Sequence, residues 1–172
     1  MEKIQIKDGF VLIDNVKAEF PCLIKKNRRY KKYGLAIEIG ANDASKLHSH
    51  MRSVYNDYLD KHPNCVALPF AEFSVDLGNG DMKFNLQNRE KPALQNTDGT
   101  PFEGELRTGS IVRLVAQCVG YVNTRCGVSL RLIGVEVVEA VSNADIARQL
   151  FGHPAANDAE DSVEEWDEAD SW

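Results

Sequence analysis

Residues 82–88 alternate apolar and polar side chains with a period of two: Met82, Phe84 and Leu86 on one side, Lys83, Asn85 and Gln87 on the other. A strand puts successive side chains on opposite faces, so the first set belongs to a core and the second to a surface. The stretch Gly78-Asn79-Gly80-Asp81 just before it is a tight-turn signal, and residues 73–77 before the turn are β-rich. Together these read as a hairpin. Two longer β runs follow at 110–122 and 127–141, joined by a turn at 123–126. Residues 10–13 and 16–20 are also β-rich, broken at Asp14-Asn15 and stopped at Pro21, and residues 23–24 and 35–39 repeat the pattern. Residues 92–109 read as loop.

One segment departs from this period. Leu47, Met51, Val54, Tyr55, Tyr58 and Leu59 follow the spacing of a single helix face. Asn42 or Asp43 can cap that helix, which runs to about residue 61. A short helix is expected at 143–151, and Gly152 and Pro154 close the folded part. Six or seven short strands with one inserted helix suggest a barrel or a sandwich. The expected fold is mainly β, an OB-fold-like β-barrel with an inserted α-helix at about 43–61 and a short C-terminal helix. A folded domain at 1–152 followed by a flexible acidic tail at 153–172 is expected.

The charge is unevenly distributed. The 172 residues carry 26 acids and 20 bases, for a net −6. Eight of the acids fall between Ala155 and Trp172, with no Lys or Arg among them. The remaining 18 acids against 20 bases leave residues 1–154 at about +2. Both tryptophans, Trp166 and Trp172, lie in the acidic segment. Unpacked segments normally lack aromatics, and Trp is usually buried for its apolar area. These two therefore read as residues to be bound by something else, with Asp161, Glu164, Glu165, Asp167, Glu168 and Asp170 around them. Such a segment can imitate a phosphate backbone and its bases, lying in a nucleic-acid groove while that groove is empty. A purely solubilising tail accounts for the acids and leaves the tryptophans unexplained.

The densest positive charge is at residues 25–32. Lys25, Lys26, Arg28, Arg29, Lys31 and Lys32 flank Tyr30, with Tyr33 just beyond. Cations neutralise phosphates without regard to sequence, and tyrosines beside them can stack on bases. The competing reading is a solvated loop whose lysines discourage edge pairing. Lys83, Arg107, Arg113, Arg125 and Arg131 lie on or beside expected strands. Arg113 and Arg131 have two readings, as groove cations or as partners of a carboxylate such as Glu136. Tyr121, at a strand end beside the 123–126 turn, is a better stacking candidate than Phe84.

Several classes are set aside. No phosphate-binding glycine loop, nucleophile elbow or HExxH motif is present, so an enzyme is not expected. Asp76 and Asp81 flank a turn that could hold a nuclease metal, but the turn alone explains them. Cys22, Cys65, Cys118 and Cys126 form no CxxC pair and have no zinc spacing, so all four are read as packing residues, Cys118 in the core. No metal and no cofactor are expected. The first residues alternate polar and apolar without a signal-peptide core, and no apolar run reaches the ~18 residues of a membrane span. A cytoplasmic protein without membrane contact is expected.

Three stretches carry a resemblance. The first is Gly80-Asp81-Met82-Lys83-Phe84-Asn85-Leu86, with Arg89-Glu90-Lys91-Pro92 and the Asp98-Gly99 loop. The second is Gly109-Ser110-Ile111-Val112-Arg113-Leu114, leading to residues 127–139. The third is Glu164-Glu165-Trp166-Asp167-Glu168-Ala169-Asp170-Ser171-Trp172. They resemble the bacteriophage replication single-stranded DNA-binding proteins, which have one OB domain and an acidic, aromatic-ended C-terminus. The second tail tryptophan and the density of the 25–32 cluster depart from that pattern. The resemblance implies a sequence-tolerant binder of single-stranded DNA that coats and protects strands in replication, recombination and repair, and promotes annealing. It also implies that the tail docks the replicative DNA polymerase and the helicase-primase and supports a possible homodimer. The alternative is a protein-interaction β-barrel, for phage assembly or host modulation, acting through its tail.

Overall fold

The structure, a computed structural model, describes residues 2–152. In chain order these form β1 (Ile4–Lys7), β2 (Phe10–Lys17), β3 (Glu19–Cys22), β4 (Tyr33–Ile39), α1 (Ala41–Lys61), β5 (Val75–Gly78), β6 (Asp81–Asn88), β7 (Ala93–Asn96), β8 (Ile111–Asn123), β9 (Arg125–Glu139) and α2 (Asn143–Leu150). A 3-10 turn, Phe70–Phe73, precedes β5. The acidic segment 153–172, with the expected tail boundary and docking residues, lies outside the described residues.

The strands pair in the order β1-β2-β8-β9-β6-β4-β3. Only Ala18 separates β2 from β3. Its N–H donates to Ser110 O and its carbonyl accepts from Gly109 N–H, both at 2.9 Å. β2, next to one end of that order, and β3, at the other, are thus halves of one bent strand, and the sheet closes into a five-stranded barrel. Its one parallel contact in the ring joins β6 to β9 through Leu86↔Leu130 and Gln87↔Arg131. This connectivity is that of the OB barrel. Pro21 does not stop β3 as the sequence suggests. It lies where the β3–β4 register shifts between Glu19 and Cys22, and at a bulge a missing N–H breaks no ladder bond.

The inward face is apolar throughout. Phe84, Leu86, Ile37, Leu114, Leu130 and Leu132 are all essentially inaccessible. Helix α1 lies over them and buries Ala44, Leu47, Met51 and Tyr55, the face its spacing predicts. Its N-cap is Gly40, which has no side chain to offer. Asp81 Oδ1 instead accepts the Ala41 N–H at 3.0 Å, while Asp43 accepts the Lys3 N–H. The cap therefore comes from a turn 40 residues away. Gly80 permits the approach, because a Cβ there would stand 2.8 Å from the Ala41 Cβ.

The β8–β9 turn is tighter than the sequence suggests. Thr124 alone separates the strands, with φ at +59°, and Cys126 is a fully buried residue of β9. Cys126 is also not a simple packing residue, since it forms a disulfide with Cys65. Backbone bonds flank the link: Cys126 N–H donates to Val66 O at 2.8 Å, and Leu68 N–H donates to Cys126 O at 2.9 Å. Cysteine spacing carried no sign of this pairing, which depends on a segment folding back along β9.

Candidate nucleic-acid interface

The basic run at 25–32 forms the loop between β3 and β4, and Asn27 organises it. The Asn27 N–H donates to Lys32 O at 2.8 Å, and the Lys31 N–H donates to Asn27 O at 2.7 Å. The Asn27 side chain accepts from the N–H groups of Arg29 and Tyr30 at 2.8 and 3.0 Å. An Asn that bonds its own following backbone is a turn device, and here it holds six cations in one arm. Lys26 Nζ lies 5.8 Å from the Tyr33 ring centre and the Arg29 guanidinium 5.4 Å from that of Tyr30. The tyrosines thus lie among the cations, and Tyr30 is 56% exposed.

Beneath the arm is a groove of about 230 Å³ whose lining includes Phe20, Tyr30, Lys32, Tyr33, Lys83, Asn85 and Gln87. The last three are the outward set of the alternating strand. Lys83 Nζ lies 3.0 Å from Glu19 Oε2 and 5.6 Å from the centre of the Phe20 ring. The Glu19–Lys83 contact lacks hydrogen-bond alignment, and Glu19 Oε2 is buried with no hydrogen-bond partner. Gln87 registers with Arg131 on β9, and Arg131 with Gln117 on β8, so the polar floor continues round the barrel to an exposed arginine. A second cleft of about 540 Å³ lies on the other side of Phe20, between the arm and residues 104–108. Lys25, Lys26, Arg28 and Arg107 line it together with Pro21, Leu23, Ile24 and Leu106.

The expected cations are thus only partly brought together. Lys32 and Lys83 share the first groove with Tyr30 and Tyr33, while Lys25, Lys26, Arg28 and Arg107 share the second cleft. Arg29 and Lys31 are exposed on the arm. Arg113 takes the second of its two readings. It pairs with Asp14 at 2.6 Å and Glu136 at 3.1 Å, and bonding to both carboxylates raises its pKa further. Tyr121 and Arg125 are near the tip of the β8–β9 hairpin and line neither cleft. A Cβ on Gly127 would meet the Tyr121 ring at 2.5 Å, so that ring covers the glycine. Burial raises the Tyr121 hydroxyl pKa, with smaller contributions from Tyr55 and Glu72.

Phe20 and Asn27 went unread in the sequence. Phe20 has φ at +48° within a strand, a conformation rare for a bulky residue. Its N–H donates to Thr108 Oγ1 at 3.0 Å. No local pattern marks that bulge, because it follows from how β3 meets β4 and the 104–108 loop. Asn27 had a visible signal, a lone turn-former inside a basic run.

Asp76 and Asp81, weighed above as a metal pair, are each engaged by backbone. Asp76 accepts from Gly78 N–H at 2.8 Å and Asp81 caps α1. Among the described residues no group of three or more His, Cys, Asp or Glu could hold a metal ion, and no helix is long and apolar enough to cross a membrane.

Fold and groove together define an OB barrel carrying a basic, aromatic-lined cleft on its outer face. No family model matches this sequence, and no curated protein sequence matches it. Solved structures do share its fold. The single-stranded DNA-binding protein of bacteriophage Enc34 in complex with ssDNA matches with a TM-score of 0.67 at 13% identity, over 83% of this chain and 93% of that one. The same protein in a further structure matches at 0.67 and 13% identity over 95% of each chain. Gp2.5, a single-stranded DNA-binding protein encoded by bacteriophage T7, matches at 0.56 and 17% identity, over 80% of this chain and 92% of that one. The likeness in fold to these phage proteins spans the barrel as a whole.

Proposed function

We propose that this chain is a phage single-stranded DNA-binding protein that binds without strong sequence preference through the groove between the 25–32 arm and β6. The observation that carries the reading is the convergence of Tyr30, Lys32 and Tyr33 with Lys83, Asn85 and Gln87 on one outer face. Cations supply affinity for any phosphate backbone, and ring faces accept any base. A groove with both chemistries suits a single strand, whose bases are available for stacking. A duplex offers only its backbone and groove edges. The likeness in fold to the Enc34 and T7 proteins supports the same reading.

The chain would coat and protect single strands in replication, with recombination, repair and strand annealing as further settings. The segment 153–172, with its eight acids and two tryptophans, would regulate access to the cationic surface. It would dock the replicative polymerase and helicase-primase, and support a homodimer, through Asp161, Glu164, Glu165, Trp166, Asp167, Glu168, Asp170 and Trp172. No catalytic role is proposed, and the site of action would be the host cytoplasm.

The test is an anisotropy titration of labelled oligo-dT and duplex DNA over a salt series, with the intact chain and a chain truncated after His153. Both proteins should prefer the single strand, bind more weakly as salt rises, and show tighter binding after truncation. A folded truncated chain without single-strand affinity at low salt refutes the reading and leaves the acidic segment as the functional surface.

A further inference from the structure

The charge on the groove floor is arranged differently from the charge on the arm. On the arm, six cations stand together with no acid among residues 25–32. On the floor, Lys83 is matched by Glu19 at 3.0 Å, and its neighbours on the outward face of β6 are the amides Asn85 and Gln87. Phosphates laid on that floor would find the charge of Lys83 already balanced by Glu19, whereas the arm itself carries six cations and no acid, with Glu105 on the far side of the cleft beside it. Amide side chains both donate and accept, which suits base edges of any identity.

Phe20 forms the wall between the two clefts. Its left-handed backbone lies within the β3 bulge and its N–H is held by the Thr108 hydroxyl, so the ring is set where a regular strand would not put it. Strained backbone persists only where the surroundings over-determine it, and such positions cluster at ligand sites.

We propose that Phe20 is a base-stacking residue and that Glu19, by neutralising Lys83, makes the groove floor select bases and exclude phosphates. This rests on the groove being a single-strand site. It adds a direction to the bound strand, with bases turned towards β6 and phosphates towards the arm. It also explains how a surface with so many cations can discriminate a single strand from other polyanions.

The experiment compares oligo-dT, an abasic oligonucleotide of the same length and inorganic polyphosphate, each titrated at fixed salt against the intact chain and three variants. Phe20→Leu should weaken oligo-dT binding about tenfold and leave the abasic strand unchanged, the loss of one stacked base. Phe20→Trp should restore oligo-dT affinity, and melting curves report whether each variant is folded. Glu19→Gln should tighten abasic-strand and polyphosphate binding, narrowing the preference for base-bearing DNA. Equal weakening of the oligo-dT and abasic complexes by Phe20→Leu, or no change in either, overturns the stacking role. Unchanged polyphosphate affinity in Glu19→Gln overturns the selective role of the floor. Failure of the unaltered chain to bind oligo-dT removes the groove reading itself, an outcome visible before any variant is made.

Discussion

Breaking the Cys65–Cys126 bond is the perturbation whose size follows most directly from the architecture. The link joins residues 61 positions apart in sequence. Releasing a loop of that length restores chain entropy to the unfolded state worth about 4 kcal/mol at 25 °C, an upper figure where the native link carries strain. That is a large share of the ~5–15 kcal/mol by which domains are stable. Urea unfolding should show it as a lowered midpoint, in reductant for the native chain and without reductant for Cys65→Ser. Reduction should also weaken the hold of β9 on residues 66–68, leaving it to backbone hydrogen bonds, and so loosen the 3-10 turn, where Phe70 and Phe73 pack on Tyr55. Thiol counting in denaturant should find two reactive groups before reduction and four after it, since Cys22 and Cys118 are not bonded. In the native state both should react slowly, because burial pushes Cys22 up to about 11, with Glu105 adding to it, and Cys118 up to about 12. Oxidised and reduced proteins with unfolding free energies equal to within ~0.5 kcal/mol would refute the reasoning.

Other outcomes are expected at the arm, in the core and on α1. Replacing Lys25, Lys26, Lys31 and Lys32 with alanine should flatten the salt dependence of single-strand binding by ~0.7 in log–log slope per lost phosphate contact. An unchanged slope would place the phosphates elsewhere. Phe84→Ala should cost ~3–5 kcal/mol in chemical unfolding, since its side chain is wholly enclosed by the barrel. A cost below ~1 kcal/mol would mean the interior collapses around the gap. Burial lowers the pKa of His48 and His50 below the usual 6.5, with Arg52 adding to the effect at His48. On acidification the unfolded chain takes up these protons first. Their contribution is complete above the usual histidine value and is lost as pH falls through and below it. The thermal midpoint should therefore decline from about pH 6.5 downward, and less so in His50→Gln. A midpoint that rises over that interval contradicts the assigned direction.

The sequence alone determined whatever repeats along a short stretch of chain. The alternation at 82–88 puts Phe84 inside and Lys83, Asn85 and Gln87 outside, and the helical spacing from Leu47 to Leu59 selects the face that α1 buries. Counting also exposed a mildly basic body and an acidic end, and picked out the 25–32 arm. Tertiary structure decided which of these groups meet. Arg113 faces Asp14, 99 residues away, and Glu136, and so spends its charge on structure. Asp81 caps a helix that begins 40 residues earlier, and Cys126 leaves its expected turn to join Cys65. Phe20 acquires its position from a bulge that exists only where β3 meets β4. Periodicity is a property of neighbouring residues, set by backbone geometry. Pairing across a closed barrel depends on register between distant strands, and no local stretch of sequence carries that register.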